Sequence, residues 1–255
     1  MKKLLEIIDI FHIKISAIAL FVLAALFGYI KPLLLYFLIA FIHEFCHLIA
    51  CIVFKIKPNA FIILPFGATL EVSNIDNIKS IRQIIIYLAG PFSYFINLIW
   101  INILFKTNNI NNVNYEFLLN ANLIMCLLNL LPIFPLDGFI VIKAILQLLI
   151  PYKNVLKVST IISLISFIGF CIYNIFDFQP MVLFFLLFEQ IKYILSYKNN
   201  YKNFLIYKTL FKKERSFKII NDYNMYKDSN NYKFETQKIL NDKEIASIEL
   251  KNYIN

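Results

Sequence analysis

His43 and His47 stand four residues apart in an apolar stretch, with Glu44 directly after the first. On a helix that spacing puts both imidazoles on one face, one turn apart. Two imidazoles so placed can share one metal ion, and the carboxylate beside them can serve as general base for a metal-activated water. Zinc suits this donor set, one Zn2+ per chain, because it lowers the pKa of bound water towards neutrality. Ionisable side chains within an apolar run are costly and mark a functional site by default. The plainer alternative is a buried polar trio that hydrogen-bonds neighbouring helices.

Catalytic zinc takes three protein ligands and a water, so a third ligand is required. Asp137 is the best candidate. It sits in the stretch Asn129-Leu130-Leu131-Pro132-Ile133-Phe134-Pro135-Leu136-Asp137-Gly138, where two prolines break the helix and Gly138 permits unusual backbone. A broken helix at membrane depth is tolerated where it lines a cavity. Glu189 competes from the last apolar run, and its ordinary role would be a charge reaching for the membrane interface. His12 precedes the apolar runs and is expected at that interface. The Asn129 amide is placed to donate to a developing oxyanion, or simply to bond a neighbouring helix.

The elements that must carry these residues are membrane spans. Of 255 residues, 60% are hydrophobic and 16% charged, where a soluble domain has about a quarter charged. Apolar runs predict six transmembrane helices near 15–30, 32–54, 82–105, 116–131, 157–176 and 180–197, with 136–150 a helix that does not cross. Lys and Arg alternate sides. Lys2, Lys3, Lys14, Lys55, Lys57, Lys79, Arg82, Lys153, Lys157 and the basic tail fall on one side, against Lys31 and Lys106 on the other. The positive-inside rule then places both termini in the cytoplasm. Residues 56–73 carry β-branched and aromatic residues around Pro65-Phe66-Gly67, which predicts a short membrane-associated β-hairpin whose edge could accept an extended peptide. The expected fold is thus an all-α polytopic membrane protein. Residues 1–197 form the six-span domain and 198–255 a small, basic cytoplasmic extension, either helical or partly solvated.

The net charge of +9 is explained by loops and tail, and no nucleic-acid module is present, so nucleic acid is not an expected partner. Cys46, Cys51, Cys126 and Cys171 all lie in apolar segments without a CxxC pair, so they read as free thiols acting as small apolar residues. The Met-Lys-Lys start followed by apolar sequence is read as a retained first span, since no small-residue cleavage site and polar mature domain follow.

His43-Glu44-Phe45-Cys46-His47, Leu64-Pro65-Phe66-Gly67, Ala89-Gly90-Pro91 and the 129–138 stretch, in this order and spacing over residues 35–145, resemble the site-2 protease family of intramembrane metalloproteases. The compact layout with a C-terminal extension is most similar to the branch found in endospore formers. The resemblance implies His43, His47 and Asp137 as zinc ligands and Glu44 as catalytic base. It implies that Asn129 holds substrate or transition state, and that the 61–70 segment, with Phe66 and Gly67, meets substrate. For that branch it further implies a membrane-associated pro-sigma factor (pro-sigma-K) as substrate, inhibitory membrane proteins as partners, and the mother-cell membrane around the forespore as location.

Departures are specific. Cys46 replaces a common Gly, Tyr94 stands where many relatives have Asn (Asn97 lies one turn later), and Phe139 follows Gly138 in place of a second Gly. The branch usually ends in a nucleotide-binding CBS domain. Residues 198–255 are short for one and read at most as a reduced or atypical CBS-like extension, which calls ATP sensing into question. The same chemistry on an anti-sigma factor or a signal-peptide remnant is the alternative, and a non-catalytic scaffold or transporter a more distant one. A homo-oligomer is left open.

Overall fold

The computed structural model describes residues 11–13, 21–23, 25–28, 30–64, 67–72, 78–173, 180–210, 217–220, 222–235 and 238–254. The chain divides into two compact units, residues 1–75 with 85–130, and residues 76–84 with 131–255.

In the first unit, α1 (Ile30–Val53) runs 24 residues with its only proline, Pro32, in the first turn, where proline costs no hydrogen bond. It stops sharply. Lys55 takes φ 57°, and the amides of Lys55 and Ile56 return to the carbonyls of Ile52 and Cys51 at 3.0 and 2.9 Å, a Schellman closure built without glycine. Asn108 ends α2 (Ser80–Lys106) in the same way, with φ 56°. α3 (Asn112–Leu130) then returns alongside α2. Ile39, Ile101, Ile110 and Leu118 join the three helices in an apolar cluster.

Large apolar side chains face outward from these helices, and polar ones are among the buried residues. On α1 the buried residues are Ile39, Ala40, His43, His47 and Cys51, while Leu34, Leu38, Phe41, Phe45, Ile49 and Ile52 are exposed. On α2 the exposed stripe is Ile81, Ile85, Leu88, Phe92, Phe95, Ile99 and Ile103, and Ser93 and Asn97 are buried. Helical-period stripes of large apolar side chains facing outward belong in lipid. The buried amides are satisfied. Asn97 Nδ2 donates to Asn122 Oδ1 at 3.0 Å, Trp100 Nε1 to Asn97 Oδ1 at 2.8 Å, and Asn122 Nδ2 to the Tyr94 carbonyl at 3.1 Å.

Three short strands complete this unit. β1 (Phe11–Ile13) pairs parallel with β2 (Ala60–Leu64), and β2 pairs antiparallel with β3 (Gly67–Glu71) in the register Phe61 to Leu70.

The second unit holds α4 (Asp137–Leu149), α5 (Tyr152–Tyr173), α6 (Pro180–Leu195), α7 (Tyr197–Leu210), β4 (Phe217–Ile219), β5 (Asn230–Glu235), β6 (Lys238–Leu240) and α8 (Asp242–Ile254). β5 is central, parallel to β4 and antiparallel to β6. Tyr152, Leu156, Tyr201, Phe204, Leu205, Met225, Leu240 and Ile245 form its core. α8 opens on a capping box. Asn241 Oδ1 accepts from the Lys243 and Glu244 amides, and Glu244 Oε2 accepts from the Asn241 amide.

The chain is a multi-pass membrane protein, but the six-span expectation is corrected. Among the described residues four helices, α1, α2, α3 and α5, are long and apolar enough to cross a membrane. The sixth expected span forms α6, with 16 residues. At 1.5 Å per residue it is about 24 Å long, short of a hydrocarbon core of about 30 Å. Much of the first expected span, 15–30, falls outside the described residues. Nor do the described residues form a clear membrane-associated hairpin. Residues 60–71 supply two strands of a three-stranded mixed sheet whose third strand comes from residues 11–13. Three residues paired parallel to a segment some fifty positions later leave no alternating pattern to read.

Candidate metal and catalytic site

The site is built on the buried face of α1. His43 and His47 are 3% and 4% exposed, and their rings meet edge to face with centroids 5.0 Å apart. The nitrogens His43 Nε2 and His47 Nε2 are 3.3 Å apart. Two Zn–N bonds of about 2.0–2.1 Å at a tetrahedral angle set their nitrogens about 3.3–3.4 Å apart, so the pair fits one zinc ion. Among the described residues, donor atoms of His43, Glu44 and His47 all lie within 4.8 Å of one another.

α2 fixes the protonation pattern. His47 Nδ1 lies 2.7 Å from the Ile86 carbonyl oxygen. A carbonyl only accepts, so Nδ1 carries the proton, and in the neutral ring Nε2 presents its lone pair towards His43. This is the outer contact that metal-bound histidines make. One turn further on, Gly90 leaves the space the two imidazoles occupy. A Cβ there would fall within 3.0 Å of His47 Nε2, His47 Cε1 and His43 Nε2. Any side chain at this position would fill the place of the donor atoms. The Tyr87 ring lies against His47, with centroids 5.6 Å apart.

Glu44 is half-buried and turned towards the sheet. Its Oε2 accepts from the Leu70 amide of β3 at 3.0 Å. The carboxylate is thus tied to the backbone of β3, the outer strand in the order β1-β2-β3 of the described sheet.

Asn129 lies near the end of α3, half-buried, its Nδ2 donating to the Met125 carbonyl at 3.1 Å. Earlier on α3, Asn122 Nδ2 donates to the Tyr94 carbonyl of α2 and Cys126 Sγ approaches the Pro91 carbonyl at 3.7 Å. Gly67 begins β3, and Phe66 lies outside the described residues.

Asp137 is the first residue of α4 and half-buried. The loop before it is tied down within its own unit, where the Phe134 amide donates to Ser163 Oγ at 2.9 Å and Gln190 Nε2 to the Phe134 carbonyl at 3.2 Å. Glu189, its competitor from the sequence, pairs with Lys192 at 2.8 Å on the same helix. His12 lies in β1, paired with Ile62. Sequence reasoning passed over Ile86, Tyr87, Ser163 and Gln190. The last two had a readable signal, as polar residues in apolar runs.

No family model matches the sequence. The stage IV sporulation protein FB of Bacillus subtilis (strain 168) is 29% identical over 168 residues, which cover 64% of this chain and 57% of that protein. The chain thus spans little more than half the length of this curated relative. Among solved structures, the site-2 protease from Methanocaldococcus jannaschii matches with a TM-score of 0.52 at 20% identity, covering 72% of this chain and 89% of that one. The chain resembles the site-2 proteases. The structural likeness is one of fold, and the sequence likeness to the sporulation protein is independent of it.

Proposed function

We propose that the protein is an intramembrane zinc endopeptidase of the site-2 protease type. The observation that carries this reading is the pair of buried Nε2 atoms 3.3 Å apart with Glu44 adjoining, on a helix long enough to cross a membrane. His43 and His47 would hold the ion. Asp137 is assigned as third ligand on its motif, and its place at the head of a helix behind an anchored loop supports this. When bound, zinc supplies Lewis acidity for water and for a peptide carbonyl. Glu44 takes the proton of the attacking water on a carboxylate oxygen and passes it to the leaving amine. Asn129 is assigned, on its motif, to donate to the carbonyl oxygen under attack. Phe66 and Gly67 are assigned to substrate contact on their motif, and for Gly67 the Leu70 amide of its strand reaching Glu44 supports this.

The substrate class is a membrane-associated protein, since the helices around the site face lipid. Similarity to the sporulation protein favours a pro-sigma factor such as pro-sigma-K. It also favours inhibitory membrane proteins as regulators and the mother-cell membrane around the forespore as location. The distribution of Lys and Arg supports cytoplasmic termini. The test is co-expression with a membrane-tethered pro-sigma substrate, comparing wild type with Glu44→Gln. Wild type should shorten the substrate while Glu44→Gln leaves it intact. Equal processing by both would reject the mechanism.

A further inference from the structure

We infer that Tyr87 is a positioning residue for the metal ligand His47. The inference rests on the zinc-site reading above. His47 must keep its Nε2 aimed at the point where His43 Nε2 also aims. The hydrogen bond from Nδ1–H to the Ile86 carbonyl at 2.7 Å fixes the tautomer, and the plane of the ring is set by what packs on its faces. Two rings pack on it. His43 stands edge to face on it at 5.0 Å and interplanar 79°, and the Tyr87 ring leans on it at 5.6 Å and 52°. Such tilted arrangements are favourable for aromatic pairs.

The source of the contacts is economical. Ile86 and Tyr87 are consecutive, so the carbonyl that orients His47 and the ring that steadies it come from the same turn of α2, with Gly90 leaving the slot one turn on. A shift of α2 would move all three supports together. Tyr87 therefore acts through its ring, against a ligand.

The test uses the full chain in detergent, as wild type, Tyr87→Phe and Tyr87→Leu. Zinc affinity is read by chelator competition and ligand geometry by the visible spectrum of the Co2+-loaded protein. Tyr87→Leu should bind zinc about tenfold more weakly, at the low end of the range for residues behind metal ligands, and change the Co2+ spectrum. Tyr87→Phe should stay within about twofold of wild type with an unchanged spectrum. Wild-type affinity in Tyr87→Leu would overturn the inference while leaving the zinc site standing. An equal loss in Tyr87→Phe would also overturn it, because the hydroxyl and not the ring would then matter. A wild-type chain that takes up no zinc would overturn the zinc-site reading itself, and this inference with it.

Discussion

Replacing Gly90 with alanine adds one methyl group at the most crowded point of the site. The helix should tolerate it, since alanine is favoured over glycine in a helix by about 1 kcal/mol. The imidazoles should not. The new Cβ would fall within 3.0 Å of His47 Nε2 and Cε1 and of His43 Nε2, so both ligating ends must move. Inserting a methyl into a filled space costs about 1–3 kcal/mol. Here the displaced atoms are the metal donors, so the cost appears as lost affinity, about 5- to 150-fold. The assay is zinc retention by the detergent-solubilised chain against a graded chelator series, with helix content by circular dichroism as the control. Zinc affinity within about twofold of wild type, at unchanged helix content, would refute the argument that Gly90 is kept small for the histidine pair.

Three further outcomes follow from the same geometry. A membrane-permeant chelator should abolish cleavage, and added Zn2+ should restore it, read by gel shift of the substrate. On the proposal that Asp137 is the third ligand, Asp137→Ala should weaken zinc binding at least about tenfold in the same competition assay, and undiminished affinity would count against that ligand. Asn122→Leu breaks the bonds to Asn97 and Tyr94. Membrane hydrogen bonds average about 0.6 kcal/mol each, so it should lower stability by about 1 kcal/mol in denaturant titration without altering metal content at saturating zinc.

The chemistry was more legible in the sequence than the architecture was. The four-residue spacing of His43 and His47 needs only a helix to bring the imidazoles together, and periodicity reveals helices well. Asn129 stood out as an amide in an apolar run, and its side chain bonds the Met125 carbonyl of its own helix. The Ile86 carbonyl could not be read, because every residue has one and only the packing of α2 on α1 selects it. Gly90 belonged to a recognisable motif, but the reason for its size is three-dimensional. The span count failed because apolar composition does not separate a helix that crosses the bilayer from one of 16 residues such as α6. β1 is three residues long, and its partner lies far along the chain.

The most direct test of the zinc site is X-ray absorption at the zinc edge of the loaded, full-length chain. The geometry predicts one zinc ion in a first shell of nitrogen and oxygen at about 2.0–2.1 Å, with two imidazoles, and no sulfur shell at about 2.3 Å. A sulfur ligand, which would bring Cys46 into the shell, or a chain that retains no zinc, would contradict it.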